Sequence, residues 1–228
     1  MDIREAIVCR HSVRQYDTAL PLTPGEVSLL RCGIDKANRE AGLRFSLVTD
    51  EPHAFGDSLM ARYGKFSGVM NYICVTAPDT PEGAVAAGRH GQRIVLEARA
   101  AGIDTCWVGL SFHKKSVTAD IPKGFRLMAL ISVGHGIDHG KPRRSRTPRD
   151  ISPDYDTAPE WFRQGIDSVM YAPSALNSQQ VRFRYLGDCR VNAGRRFSLL
   201  AGGYYHIDKG IAMTHFELAC PEIKVEWV

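Results

Sequence analysis

The pattern of the first 150 residues begins again after them, and self-similarity at a fixed offset is the mark of a chain built from repeated units. Leu22-Thr-Pro-Gly-Glu26 reads as a helix start. Thr23 can cap, Pro24 takes the first helical position, and Glu26 completes a capping box. Val27, Leu30 and Ile34 then follow at helical spacing. Later, Thr157-Ala-Pro-Glu160 reads as a second capping box, followed by Phe162, Ile166 and Val169 at the same spacing. Arg31-Cys-Gly-Ile-Asp35 corresponds to Arg163-Gln-Gly-Ile-Asp167, and the strand candidates Phe45–Val48 and Phe183–Leu186 come next. Gly88–Leu96 matches Gly210–Leu218, both small-residue helices with an apolar stripe. The copies differ in one place. Gly33 to Phe45 is twelve positions and Gly165 to Phe183 is eighteen, so the second copy carries six extra residues, around Ala172-Pro-Ser-Ala-Leu-Asn177.

The chain has 228 residues, 44% hydrophobic and 24% charged, enough to bury a sizeable core without disulfides. No run approaches a membrane span, and Met1-Asp2-Ile3-Arg4-Glu5 does not read as a secretory leader. The six cysteines form no Cys-x-x-Cys pair. Cys74 and Cys106 fall in apolar strand-like segments, so free thiols and a cytoplasmic location are expected. Tyr72–Val75, Thr105–Val108 and Met128–Val133 read as strands, and Val85–Ala101 as a helix ended by Gly102. A Gly- and Pro-rich loop then holds Lys141, Arg143, Arg144, Arg146 and Arg149. It divides the chain into residues 1–150 and 151–228, expected to form one compact unit. Without interleaved aromatics or a nucleic-acid motif, that loop suits a small phosphate better than nucleic acid. His135 and His139 lie four apart with no third ligand at a suitable spacing, so no metal site is expected.

Two further segments look chemical. Alternation along an extended backbone would aim Arg10, Ser12 and Arg14 the same way, a clamp suited to phosphate oxygens. Pro173, Ser174, Asn177 and Gln179 offer donors and acceptors suited to the edge of a heterocycle.

Together these segments resemble the flavin-dependent nitroreductases. Arg10-His-Ser-Val-Arg-Gln-Tyr16 is similar to that family's N-terminal signature, and Ala172-Pro-Ser-Ala-Leu-Asn-Ser-Gln179 to its flavin loop. Ala101–Gly109 resembles the segment passing the flavin ring, and Arg144-Ser-Arg146-Thr-Pro148 a second phosphate clamp. The resemblance implies an α+β fold: a mixed, largely antiparallel sheet surrounded by helices, here as two degenerate half-repeats. It implies FMN held by Arg10, His11, Ser12, Arg14, Lys65, Gly109, Leu110, Arg144, Arg146, Pro173, Ser174, Ala175, Asn177 and Gln179. Lys65 would approach the N1 and O2 side, and backbone groups near Gly109 and Leu110 would face N5. NAD(P)H would be the reductant, and a nitroaromatic or quinone the acceptor. In ordinary members the flavin loop comes early and each FMN lies between two subunits. Here the early position, Asp35–Gly42, lacks Pro-Ser, and the second copy lacks Arg-x-Ser-x-Arg. The resemblance is therefore to a branch in which one chain imitates the dimer, so a monomer with one FMN is expected, although a homodimer stays open. A dedicated dehydrogenase or dehalogenase, and a flavin carrier or sensor, are the rival readings.

Overall fold

Three helices begin at a Thr-Pro pair. In α2 (Pro24–Ala41) the Thr23 hydroxyl accepts from the Glu26 amide while Glu26 reaches back to the Thr23 amide. Thr80 caps α3 (Pro81–Ala100), and Thr147 with Asp150 boxes the short α4 (Pro148–Ile151). Asp2 and Glu5 do the same for α1 (Ile3–Cys9). The box expected at Thr157 does not form. The Thr157 hydroxyl donates to Asp154 O, Ala158 precedes a proline that disfavours helical backbone, and α5 (Glu160–Val169) starts from Pro159 without a side-chain cap. The last helix is α6 (Tyr205–Ala219). These elements belong to a computed structural model that describes residues 1–55, 64–138, 140, 143–196 and 202–228; His139 and Lys141 fall outside them.

Among the described residues the strands form two sheets. The first, in the order β1-β2-β4-β3, contains β1 (Ser46–Val48), β2 (Asn71–Pro78), β3 (Asp104–Val108) and β4 (Phe125–Gly134), antiparallel throughout. The second contains β5 (Val181–Tyr185), β6 (Arg190–Arg195) and β7 (Glu226–Trp227), with β5 and β6 antiparallel and β6 and β7 parallel. The expected mixed, largely antiparallel α+β architecture is present, its strands divided between these two sheets. Seven of the eight β2 residues are buried, as befits a strand covered on both faces. One apolar core joins both parts of the chain, with Leu30, Ile34, Ile73 and Ile94 from the first and Phe162, Ile166, Phe183 and Phe216 from the second.

The helices meet where side chains are smallest. A Cβ at Gly88 of α3 would strike the carbonyl oxygen of Ile207, and a Cβ at Gly210 of α6 would strike that of Val85. The two contacts are reciprocal, because the same offset relates Gly88 to Gly210 and Val85 to Ile207. Gly33 of α2 packs on Ile94 of α3, while Gly165 of α5 packs on Phe216 of α6. The order helix, two antiparallel strands, helix, strand thus runs once from α2 to β3 and again from α5 to β7.

Backbone cannot yield as a flexible side chain does, so Gly210→Val should force α3 and α6 apart. Overpacking of this kind typically costs about 1–3 kcal/mol. Gly203→Ala, with nothing within 4 Å of its Cβ, is the control and should change little. Urea unfolding of the two variants checks this; equal midpoints would show that the close crossing carries no stability.

Candidate functional site

The N-terminal arm lies along the free edge of β3. Ser12 bridges Thr105 in parallel, and the Val13 amide donates to Thr105 O at 3.1 Å. This register gathers Arg10, Ser12 and Arg14 around the buried Cys106: Ser12 hydrogen-bonds the thiol, and both guanidiniums act on it electrostatically. Burial nevertheless dominates and raises the Cys106 pKa. The expected alternation is present, but its members differ in exposure. Arg10 is buried, whereas Arg14 is exposed and lies 5.9 Å over the Phe66 ring. His11 sits 3.8 Å from Asp138, whose carboxylate also accepts the Arg14 and Gln15 amides.

The wall continues through Lys65. Ser67 N donates to Arg14 O at 3.0 Å, and Gly64 lies against Ser111, so the exposed Lys65 stands between the arm and the Gly109–Ser111 turn. Gly109 is three residues beyond Cys106, roughly 10 Å along the strand direction. Beyond it opens a cleft of about 660 Å³, lined by Leu110, Phe112, Lys114, Ile121, Tyr204 and His206 among others. Tyr204, which precedes α6, packs on Gly109, so the second part of the chain borders the cleft in the first.

The 172–180 loop, with the basic segment that follows Gly140, makes the other wall. In the 172–180 loop, the Gln179 amide donates to Ser174 Oγ at 3.0 Å. Asn177 Nδ2 and Gln179 Nε2 both donate to Arg144 O, at 2.9 and 3.0 Å, and the Arg146 amide donates to Gln179 Oε1 at 2.9 Å. The loop and the basic segment are thereby fastened together. Pro173, Ser174 and Ala175 are half-buried, while Leu176 is 75% exposed.

Arg143 is a member of the basic segment to which the resemblance assigns no role. Its guanidinium donates to Met170 O at 2.5 Å and Ala172 O at 2.8 Å, where a cation complements the C-terminal end of α5. Arg10 reaches Tyr171 O in the same turn at 3.4 Å. Proximity in sequence to Arg144 marked the segment, but nothing in the letters says which arginine turns inward.

Neither Arg10, Arg143, Arg144 nor Arg146 makes an ion pair among the described residues. Burial, with Arg143 beside it, lowers Arg10 from 12.5 to about 10, which leaves it charged at neutral pH. Its Nε, and that of Arg146, are buried without a hydrogen-bond partner among the described residues. Beneath them a polar chain crosses the core. Trp107 Nε1 donates to Gln92 Oε1, Gln92 Nε2 donates to His215 Nε2, and His215 Nδ1 donates to Ser168 O, at 2.9, 2.9 and 3.2 Å. Burial and the charges of Arg10 and Arg143 push His215 down to about 3, so it stays neutral and adds no counter-charge.

The unpartnered guanidinium nitrogens call for an anion. A phosphate monoester suits them, because its oxygens can take several charge-assisted bonds at once. The residues present therefore fit the phosphate end of FMN, with Arg10 and Arg146 offering free donors and Arg143 adding positive charge nearby.

Comparison with known proteins agrees with this reading of the fold. A family model described as "Putative TM nitroreductase" matches residues 2–220. No curated protein matches the chain. A crystal structure described as a putative nitroreductase of Thermotoga maritima is 22% identical, covers 97% of this chain and 85% of its own, and has a TM-score of 0.64. One described as a putative nitroreductase in complex with FMN, from Desulfovibrio desulfuricans, is 20% identical with a TM-score of 0.50, covering 64% of this chain and 92% of its own. One described as a putative NADH dehydrogenase/NAD(P)H nitroreductase, from Parabacteroides distasonis, is 20% identical with a TM-score of 0.50, covering 65% of this chain and 95% of its own. The last two align over nearly their whole length and still leave about a third of this chain unmatched. The matched span of 2–220 takes in both walls of the site, and on that match the chain belongs to the nitroreductase family.

Proposed function

We propose that the chain is an FMN-dependent oxidoreductase that takes reducing equivalents from NAD(P)H and passes them to an electron-poor acceptor such as a nitroaromatic or quinone. The observation that carries this is the buried Arg10 guanidinium, beside Arg143, without an acidic partner among the described residues and facing the end of α5. Bound FMN would supply the hydride chemistry. The protein's part is position and charge.

Arg10, Arg143 and Arg146 would neutralise the phosphate, with the half-buried Ser12 beside them. Arg144 contributes through its backbone: its carbonyl ties Asn177 and Gln179 to the basic segment, while its side chain is exposed. Arg14 and Lys65 place positive charge along the route from the arm to Leu110, where it would favour a cofactor that gains negative charge on reduction. His11, paired with Asp138, steadies the arm. Backbone at Gly109 and Leu110 and the Pro173, Ser174, Ala175, Asn177 and Gln179 loop would bracket the ring. The cleft beyond Gly109 lies in the size range of small-molecule sites. Its Leu110, Phe112 and Tyr204 suit a flat aromatic acceptor.

The same reading makes the chain its own partner. The reciprocal glycine contacts of α3 and α6, and the repeated element order, support two half-repeats, residues 1–150 and 151–228, in one unit. Arg10-x-Ser12-x-Arg14 occurs only in the first and Pro173-Ser174-x-x-Asn177 only in the second, so one chain would form one site without needing a dimer. Six free cysteines agree with a cytoplasmic setting. No helix of the described residues is long and apolar enough to cross a membrane.

Anaerobic bleaching of bound flavin by NADH or NADPH, then re-oxidation by nitrofurazone or menadione faster than by air, tests the activity. Bleaching without acceptor-driven re-oxidation would instead indicate a carrier. Hydrogen bonds to a charged group contribute about 1.5–3 kcal/mol, so Arg10→Ala should weaken FMN at least about tenfold. Riboflavin, which lacks the phosphate, should be nearly indifferent; equal losses in a fluorescence titration would remove the phosphate role. Asn177→Ala should lower FMN affinity, with only a small fall in the thermal midpoint from losing the bond to Arg144 O. A fall in the midpoint with unaltered affinity would make the residue purely structural.

A further inference from the structure

We propose that Asp208 is the positioning residue of the 172–180 loop: its buried carboxylate on the first turn of α6 holds the Ala175 amide and so sets Ser174, Asn177 and Gln179 for the flavin. This rests on the flavin reading above and adds how the loop is held in a binding-competent shape.

The loop does not hold its shape through its own backbone preferences. Leu176, Asn177 and Gln179 have φ of 52°, 53° and 47°, three non-glycine residues in the left-handed region within four positions. Such a run persists only when its surroundings impose it. Two of the restraints are themselves loop-borne, the Ser174–Gln179 bond and the bonds to Arg144 O. The third comes from the core. Asp208, 4% exposed, receives the Ala175 amide on both oxygens, at 3.1 and 3.2 Å, and Ser178 bonds its carboxylate as well.

The charge on this carboxylate is not needed for the fold. Asp208 makes no ion pair among the described residues. Around it, α4, α5 and β5 present Ile151, Val169 and Val181. Two cations of neighbouring segments bond other groups of this region: Arg146 of the basic segment donates to Ser178 O at 3.5 Å, and Arg195 of β6 to Gln180 Oε1 at 3.4 Å. His206, exposed, and Lys209, half-buried, flank it on its own helix. Desolvation pushes the carboxyl from 3.8 up to about 7, against the hydrogen bonds from Ala175 and Ser178.

The fork has a chemical consequence. An ionised carboxylate accepts with both oxygens. A protonated one carries a hydrogen on one of them, and the Ala175 N–H then meets a donor on that side. Protonation thus breaks the symmetric grip on the loop. Global stability moves the opposite way. A carboxyl whose pKa is raised on folding favours the folded state at acid pH, and that contribution is lost as pH rises from about 4 through about 7. As pH rises through 7 the loop is gripped harder while the protein as a whole becomes less stable.

The test uses Asp208→Asn and Asp208→Ala in the full chain. FMN and riboflavin affinities are measured by flavin fluorescence from pH 6 to 8.5, and exchange protection of loop amides in the flavin-free protein. Wild-type affinity for both flavins should rise about tenfold across pH 7, the scale of one charged hydrogen bond. Riboflavin removes any contribution from phosphate titration. Asp208→Asn should bind weakly with no step at pH 7, yet melt higher than wild type at pH 8, a combination a merely structural residue would not give. Asp208→Ala should lose Ala175 amide protection at every pH. Unchanged affinity, the same pH step and equal Ala175 protection in both variants would overturn the proposal. A wild-type protein that binds neither flavin at any pH would overturn the flavin reading instead, and Ala175 protection would then decide the role of Asp208 on its own.

Discussion

The close crossing of α3 and α6 is the contact on which the site depends. With glycine at residues 88 and 210, two helix backbones approach until side-chain-free Cα groups face carbonyl oxygens. Helices carrying ordinary side chains pack at axial distances of about 8–10 Å. The shorter approach brings Tyr204 against Gly109 and lets His215 of α6 meet Gln92 of α3. Ser168 then carries the chain of hydrogen bonds to the end of α5, where Arg10 and Arg143 converge. Separating the helices would part the N-terminal arm from the 172–180 loop, and neither wall alone has the groups of a flavin site.

Electrostatics at that convergence oppose the fold. Arg10 falls from 12.5 to about 10, which corresponds to roughly 3 kcal/mol against its charged form. His215 stays neutral beneath it, and the carbonyl oxygens of residues 170–172 supply only partial negative charge. A polar network that is only partly satisfied is high-stakes, because each unpaired donor in a low-dielectric region retains its desolvation penalty. A bound anion that drew the Arg10 guanidinium into hydrogen bonds would offset that penalty.

Much of this was legible in the letters, for reasons that differ by element. Thr23, Pro24 and Glu26 announce helix α2 because capping chemistry is local. Mostly apolar runs mark the strands of the first sheet but not their ends, as at β4, which begins at Phe125 rather than Met128. The Thr157 box failed because the preceding turn captured the hydroxyl, a contact that depends on Asp154. Alternation placed Arg10, Ser12 and Arg14 about one strand edge, yet burial of Arg10 and exposure of Arg14 follow from what lies across from each. The inward turn of Arg143 and the grip of Asp208 are illegible for the same reason. Their partners are backbone groups 27 to 33 residues away, and no spacing rule connects such positions.

The central claim is that one chain, by joining an arm from its first half to a loop from its second, forms one complete flavin site. Native mass spectrometry of the FMN-loaded protein at submicromolar concentration reads both quantities at once. The account predicts a monomer carrying one FMN. A dimer carrying two, whose flavin departs in step with dissociation on dilution, would place the site between chains and contradict it.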